Sequence, residues 1–148
     1  MKNKSQELDA LLEEITPKEA AGILFKHANE VFLVKHTQLN AWVAPGGHMD
    51  PKDANHRDCA IREFREECGM LPGYAETHHT VVTESNGVKF TTFLYEPDTR
   101  FTPEKLHEES SEAQWFDFEQ LPKDIYEPTA KAIKQFDFKR PTKPRGWK

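Results

Sequence analysis

Long apolar runs are missing from this sequence of 148 residues. The longest, such as the run at 31–34, are far too short to form a membrane-spanning helix. A charged segment followed by an apolar leader is also missing at the N-terminus, so secretion has no support. We therefore expect a soluble cytoplasmic protein with no membrane partner.

Cysteine is scarce as well, and its two instances are Cys59 and Cys68. If both lie on one helix, as argued below, they are about 13 Å apart, which excludes a disulfide between them. Neither has a second cysteine or a histidine at the spacing of a zinc site. We expect two reduced thiols packed in the core.

Positive charge is concentrated at one end of the chain. The net charge is −5, but residues 139–148 carry five Lys or Arg and no acid, which leaves −10 on residues 1–138. A body this acidic is poorly suited to nucleic acid, and we expect no stable nucleic-acid complex. It is better suited to hold cations. The basic tail, with two prolines and a glycine, is predicted to be a flexible end.

Repeats and low-complexity segments are absent, so we expect one domain over residues 1–138. Apolar residues at helical spacing predict an N-terminal helix within residues 1–16. Asn55 as N-cap and Gly69 as C-terminal glycine delimit a central helix over 55–68. The remaining pattern predicts strands at 20–25, 30–35, 41–44, 74–84, 88–95 and 114–118, a turn at Asn86-Gly87, and a last helix at 128–136. This order predicts an α/β (α+β) fold with a mixed sheet between helices.

Three carboxylates share one face of the central helix. At about 100° per residue, Glu63, Glu66 and Glu67 fall within about 100°, whereas the apolar residues gather about 130° away. Acids three and four residues apart repel each other, and acids in the last turn oppose the helix dipole. A bound divalent cation would reverse these costs, and clustered oxygen ligands suit Mg²⁺. The alternative is an ordinary solvated acidic face.

A glycine segment, Pro45-Gly46-Gly47-His48, precedes this helix, and glycines let the backbone approach a ligand closely. His48 would either touch substrate or cap the glycine loop. Together the two segments resemble the signature of the Nudix hydrolases, which runs Gly, five residues, Glu, seven residues, then Arg-Glu-apolar-x-Glu-Glu-x-Gly-apolar. The second half is complete from Arg62 to Met70. The segment at 112–122 is also similar to that family.

The first half of the signature departs from the family pattern. The spacing from Gly47 to Arg62 is one residue longer, and an aspartate, either Asp53 or Asp50, replaces the glutamate. We place the extra residue in the loop at 52–55, before the helix begins. The departure therefore affects the loop and not the helix.

The resemblance implies an α/β/α sandwich and a pyrophosphohydrolase that cleaves a nucleoside diphosphate linked to another group X, with Mg²⁺ or Mn²⁺ as cofactor. It implies that Glu66 and Glu67 are the principal metal ligands and that Glu63 binds metal directly or through water. It further implies that Arg62 orients the catalytic acids and that the Gly46 carbonyl is a backbone ligand.

Many family members use one more acid, on a loop before a late Trp-containing strand. Here that loop is 107–112, before Trp115. We favour Glu109, then Glu108, then Glu112, as a metal ligand and as the base that takes a proton from water.

Several alternatives remain open at this stage. A non-catalytic nucleotide-binding module on the same fold is one, and an isomerase of allylic diphosphates, which would use a cysteine nucleophile, is another. The group X remains open among ADP-sugars, dinucleoside polyphosphates, nucleoside triphosphates and capped RNA. The oligomeric state is open too, with a homodimer as one alternative. Four aromatic residues could stack on a base, although core packing is favoured for most of them: Trp42, Phe90, Tyr95 and Trp115.

Overall fold

The computed structural model describes residues 18–139, so the predicted N-terminal helix and all but the first residue of the basic tail lie outside the described residues. No helix in this part of the chain is long and apolar enough to cross a membrane. The strands are β1 (Lys18–His27), β2 (Glu30–His36), β3 (Ala41–Val43), β4 (Gly46–His48), β5 (Tyr74–Ser85), β6 (Val88–Pro97) and β7 (Ser110–Asp117), and the helices are α1 (His56–Cys68) and α2 (Glu127–Phe136).

Strand β1 lies at the centre of a mixed sheet. One edge pairs in parallel with β6, which continues through the Asn86-Gly87 hairpin to β5. The other edge is shared, because β4 pairs with its first half and β2 with its last residues. Strand β2 in turn lies between β3 and β7. The predicted mixed sheet is confirmed.

The central strands are buried on both faces, and successive residues point to opposite layers. On β1, Ile23 and Phe25 join the cluster that contains Phe64 of α1, whereas Leu24 joins the cluster that contains Ile133 of α2. The same alternation runs along β2, whose four apolar residues are all fully buried. The sheet therefore lies between two helical layers, which confirms the α/β/α sandwich.

Helix α1 begins and ends where the sequence predicts. The Asn55 side chain accepts a hydrogen bond from the Asp58 amide at 2.8 Å and caps the first turn. Gly69 follows the last residue with φ of 88°, and its amide donates to the Arg65 carbonyl. Cys59 and Cys68 are both buried and free, as expected.

Strand β7 begins earlier than predicted, at Ser110 rather than residue 114. Its polar first half has little β propensity, but it pairs with β2 along the whole length of that strand, with a register shift at Lys35/His36. Pairing with a buried neighbour overrides local propensity here. The predicted loop at 107–112 therefore ends at Glu109, and Glu112 lies within a strand.

Candidate functional site

A cavity of about 450 Å³ opens where α1, the glycine segment and the end of β2 meet. Its lining contains acidic side chains as well as apolar and aromatic ones. None of the described residues that line it is a lysine or an arginine. The acidic lining residues are Glu63, Glu67 and Glu109, and the apolar ones include Leu39, Val43, Phe90, Tyr126 and Pro128.

The three predicted metal ligands on α1 do not all line the cavity. Glu63 and Glu67, which are separated by about 40° around the helix, both line the cavity. Glu66 lies about 60° to the other side of Glu63, toward Arg62, and its side chain is 55% exposed. It lines a neighbouring surface groove together with Arg62 and Arg65. The structure therefore brings two of the three acids into the cavity and places the third at its margin.

Arg62 is the hub of the hydrogen bonds behind these acids. Its Nε and Nη2 each donate to the Asp53 carboxylate at 2.9 Å, and its Nη1 donates to Glu63 at 3.0 Å and Glu66 at 3.1 Å. Its Nη2 also donates to the His48 carbonyl at 3.2 Å. One guanidinium thus fixes three carboxylates and the glycine segment relative to one another.

Asp53, rather than Asp50, is the acid that pairs with Arg62. Its side chain is 4% exposed, and the hydrogen bonds from Arg62 hold the pKa of its carboxyl well below the usual range. Asp50 has a local role instead, because its carboxylate accepts from the Lys52 amide and its own amide donates to Asp53. The sequence alone had left these two positions open.

The two glycines bring backbone against the acids. A Cβ on Gly47 would lie 2.4 Å from Cδ of Glu63, so glycine at this position lets the carboxylate rest on the main chain. Gly46 faces Gly22 in the β1–β4 pair, where flanking hydrogen bonds from Ile23 to Pro45 and from Met49 to Glu19 mark the bonded positions. Gly46 is therefore a non-bonded position whose amide and carbonyl point away from β1. Its amide bonds the Glu67 carboxylate.

The segment after residue 104 bonds to the C-terminal end of α1, and this places Glu109 at the cavity. The amides of Lys105 and His107 donate to the carbonyls of Cys68 and Glu67, at 3.2 and 2.8 Å, and so satisfy the end of the helix. The Glu109 amide then donates to Nδ1 of His107 at 3.1 Å. The chain order His107, Glu109 thereby places a fourth carboxylate beside Glu67.

The two competing loop acids do not reach the cavity. Glu108 is exposed and is not among its lining residues, and Glu112 lies on β7 opposite Lys35. Glu109 is the acid that the sequence favoured, and it is the one of the three that lines the cavity.

Burial and mutual repulsion disfavour the charged forms of the Glu63 and Glu67 carboxylates. Burial raises the pKa of Glu67 to about 8, and the charges of Glu63, Glu109 and Glu66 add to this, while the hydrogen bond from Gly46 opposes it. Burial also raises the pKa of Glu63, with partial compensation from Arg62. A cation near these oxygens would favour the charged forms of both groups.

The donor set fits a hard divalent cation in charge and chemistry. Carboxylate oxygens and a free glycine carbonyl are the ligands that Mg²⁺ and Mn²⁺ prefer, and neither thiol lines the cavity. Within residues 18–139, no three acidic, histidine or cysteine side chains are already arranged around a common metal position. Two of the acids, Glu63 and Glu66, accept hydrogen bonds from Arg62 instead.

The two cysteines lack the properties of a nucleophile. Burial raises the pKa of Cys59 to about 11 and that of Cys68 to about 12, so both remain thiols at neutral pH. This disfavours the isomerase interpretation, which requires a reactive cysteine in the pocket.

Three of the four aromatic candidates are core residues, as favoured: Trp42, Tyr95 and Trp115 are each less than 10% exposed. Phe90 differs, because it lines the cavity in edge contact with Tyr126, with ring centroids 5.8 Å apart. Sequence reasoning missed Tyr126, and it also missed His36, which lines the cavity at the end of β2. Neither belongs to a motif, and only long-range pairing brings them to the site.

Comparison with known proteins agrees with this geometry. The family model described as NUDIX domain matches residues 16–136. The mRNA-decapping enzyme subunit 2 of Saccharomyces cerevisiae is 29% identical over 119 residues, which are 78% of this chain and 12% of the yeast protein. The putative hydrolase 111R of Invertebrate iridescent virus 3 is 33% identical over 61 residues, 41% of this chain and 36% of that protein. The chain thus spans a small part of the length of these relatives.

Solved structures share the fold. A Caenorhabditis elegans Ap4A hydrolase in a binary complex superimposes with a TM-score of 0.67 at 21% identity, covering 80% of this chain and 94% of that one. A NUDIX hydrolase from Nitrosomonas europaea superimposes with a TM-score of 0.65 at 23% identity, covering 82% and 70%. The α/β/α arrangement is therefore that of known hydrolases.

Proposed function

The chain belongs to the NUDIX domain family, and from that premise we propose that it is a Mg²⁺-dependent pyrophosphohydrolase acting on a nucleoside diphosphate linked to another group. Mn²⁺ would serve in place of Mg²⁺. The proposal concerns the domain described here, whatever the length of the protein that carries it.

One observation carries the proposal: a single cavity joins three carboxylates to an aromatic wall, and no lysine or arginine lies among its described lining residues. A diphosphate brings at least two negative charges to a wall that already has Glu63, Glu67 and Glu109. Without basic side chains in the lining, bound divalent cations are what would neutralise the phosphate oxygens. A metal-independent binding module would need cationic side chains in that position instead.

The residues would divide the work as follows. Glu67, Glu66 and Glu63, with the Gly46 carbonyl, would hold the metal, and Arg62 would orient Glu63 and Glu66 through its two hydrogen bonds. When bound, Mg²⁺ neutralises diphosphate oxygens and lowers the pKa of water. Glu109 would accept the proton of the attacking water, because it lines the cavity from the segment that caps α1 rather than from α1 itself.

The apolar lining residues favour a substrate that carries a ring in addition to its diphosphate. Phe90, Tyr126 and Leu39 offer apolar surface, and a nucleobase is the ring that a nucleotide substrate provides. Two similar proteins are a decapping enzyme and an Ap4A hydrolase by name, so dinucleoside polyphosphates and capped RNA join ADP-sugars and nucleoside triphosphates as the first compounds to test.

The direct test is a substrate panel with product identification. We expect release of two phosphate-containing products, or pyrophosphate from a triphosphate, with Mg²⁺ or Mn²⁺ and none after chelation with EDTA. The matched control is the Glu63→Gln/Glu67→Gln double variant from the same preparation, which excludes a contaminating phosphatase. Binding of the panel without turnover in any metal would instead identify a nucleotide-binding module.

Phe90→Ala is expected to raise KM about tenfold for a substrate of that panel while leaving kcat within about threefold, because stacking on one aromatic ring contributes about 1–3 kcal/mol per base. Phe90 belongs to β6, whereas the acids belong to α1 and the segment that caps it, so its removal weakens binding of the ring and leaves the reacting groups in place. Steady-state kinetics measure both constants. Val82→Ala, on an exposed site of β5, is the control. An unchanged KM would show that the nucleobase of the substrate does not stack on Phe90.

A further inference from the structure

His36 is the last residue of β2 and lines the cavity, but it has no role in the proposed reaction. Its Nδ1 accepts a hydrogen bond from the Leu39 amide at 3.2 Å. A ring nitrogen that accepts carries no proton, so the neutral imidazole has its N–H on Nε2. The loop after β2 thus fixes both the ring orientation and the tautomer.

The Nε2 atom faces Glu109, with 3.8 Å between Nε2 and Oε2. This contact is longer than a hydrogen bond, and about 1 Å of side-chain movement would close it. The next residue, Thr37, already holds the backbone of the same glutamate, because its amide and its hydroxyl donate to the Glu109 carbonyl at 2.7 and 2.9 Å. The end of β2 therefore fixes the main chain of Glu109 and presents an N–H to its carboxylate.

The same imidazole also binds the backbone of the loop that carries Leu39. Leu39, whose amide it binds, and the neighbouring Gln38 both line the cavity, and Leu39 is 47% exposed there. His36 thus stands between the loop that would contact the substrate ring and the acid that would activate water.

We propose that His36 is a positioning residue that aims the Glu109 carboxylate into the cavity through its Nε2–H, while its Nδ1 anchors the substrate-facing loop at Leu39. This rests on the proposed hydrolase function. It assigns no proton transfer to His36, since the ring acts by donating one hydrogen bond and accepting another.

Two substitutions of His36 distinguish the roles of its two ring nitrogens. The amide oxygen of asparagine occupies the place of Nδ1, so His36→Asn would keep the bond from Leu39 and lose the contact with Glu109. The amide nitrogen of glutamine occupies the place of Nε2, so His36→Gln would keep the donor to Glu109. We expect His36→Asn to lower kcat about tenfold with KM within about twofold, and His36→Gln to retain at least about half of the wild-type kcat. His79→Asn, on exposed β5, is the control for an ordinary histidine substitution.

A double-mutant cycle and a spectrum complete the test. In the Glu109→Gln background, His36→Asn should cause no further loss of kcat, because the group it positions is gone. Long-range ¹H–¹⁵N spectra of the metal-free protein should show the Nε2–H tautomer for His36. Equal losses in His36→Asn and His36→Gln, additive losses in the cycle, or the Nδ1–H tautomer would each overturn the proposal. If the wild-type protein turns over no substrate, the hydrolase proposal fails, and the tautomer still tests the geometry of His36.

Discussion

Glu67→Gln is expected to lower turnover by about two to three orders of magnitude and, in the absence of metal, to stabilise the protein at alkaline pH. The loss of turnover follows from the proposed role of Glu67 as a metal ligand, because the substitution removes its charged oxygen from the cavity. Glutamine keeps the shape and can still accept the hydrogen bond from Gly46. Steady-state rates at saturating Mg²⁺ measure the first effect, and a variant with wild-type turnover would overturn the metal assignment.

The stability effect has a defined pH window. The pKa of Glu67 is 4.5 in its ordinary state and about 8 in the folded protein. A carboxyl with a raised folded pKa contributes stability that is fully present below pH 4.5 and is lost as pH rises toward 8. Glutamine has no charge to bury, so at about 1.4 kcal/mol per pKa unit the variant should gain on the order of 5 kcal/mol over the wild type by pH 9. Melting temperatures with EDTA at pH 6 and pH 9 measure it, and an equal difference at both would contradict the assigned pKa.

Glu66→Gln is the informative partner of this variant. The family resemblance implies that Glu66 is a principal ligand, so turnover should fall there too, although its side chain lies at the margin of the cavity and is 55% exposed. Since that exposure leaves its charge solvated, the metal-free protein should gain little stability. Glu96→Gln, an exposed site on β6, should change neither quantity.

The local signals in the sequence were sufficient for the helix and the hairpin. Asn55 and Gly69 predicted α1 because a cap and a terminal glycine act within one turn. Asn86-Gly87 predicted the β5–β6 hairpin, since the turn requires the positive φ that both residues adopt. The start of β7 was missed because its polar residues become a strand through pairing with β2, which no local pattern encodes.

For the candidate site, too, the sequence predicted mainly the residues that lie within one local motif. The motif placed three acids on one helix face, but which of them enters the cavity depends on how α1 packs on β1, and Glu66 turned out to lie at the margin. The choice of Asp53 over Asp50 depends on the reach of Arg62, and the parts played by His36 and Tyr126 depend on strands far apart in sequence. The residues within one helix could be predicted from their spacing. Of the residues that other elements bring to the cavity, Glu109 was predicted from the family resemblance, whereas His36 and Tyr126 were not.

Glu109→Gln should lower kcat at least tenfold, and by up to about a hundredfold, while KM changes little. The substitution removes the carboxylate that would accept a proton from water, and it keeps the backbone bonds that tie this residue to Thr37 and His107. A base acts in the transition state, so its loss should appear in kcat more than in binding. Kinetics at saturating Mg²⁺ on a substrate of the panel measure both constants.

Glu108→Gln and Glu112→Gln are the matched controls, because they remove the same charge from positions close to Glu109 in the chain. Glu108 is exposed and does not line the cavity, and Glu112 lies on β7 opposite Lys35, so both should keep near-normal kcat. If negative charge near the cavity were all that mattered, the three variants would fall together. If all three kept normal kcat, the base would lie on α1, with Glu63 as the candidate, since it is the other acid that faces the cavity without being assigned as a principal ligand. A loss confined to Glu109→Gln would place the base on the segment that caps α1, where one loop both ends the helix and faces the substrate.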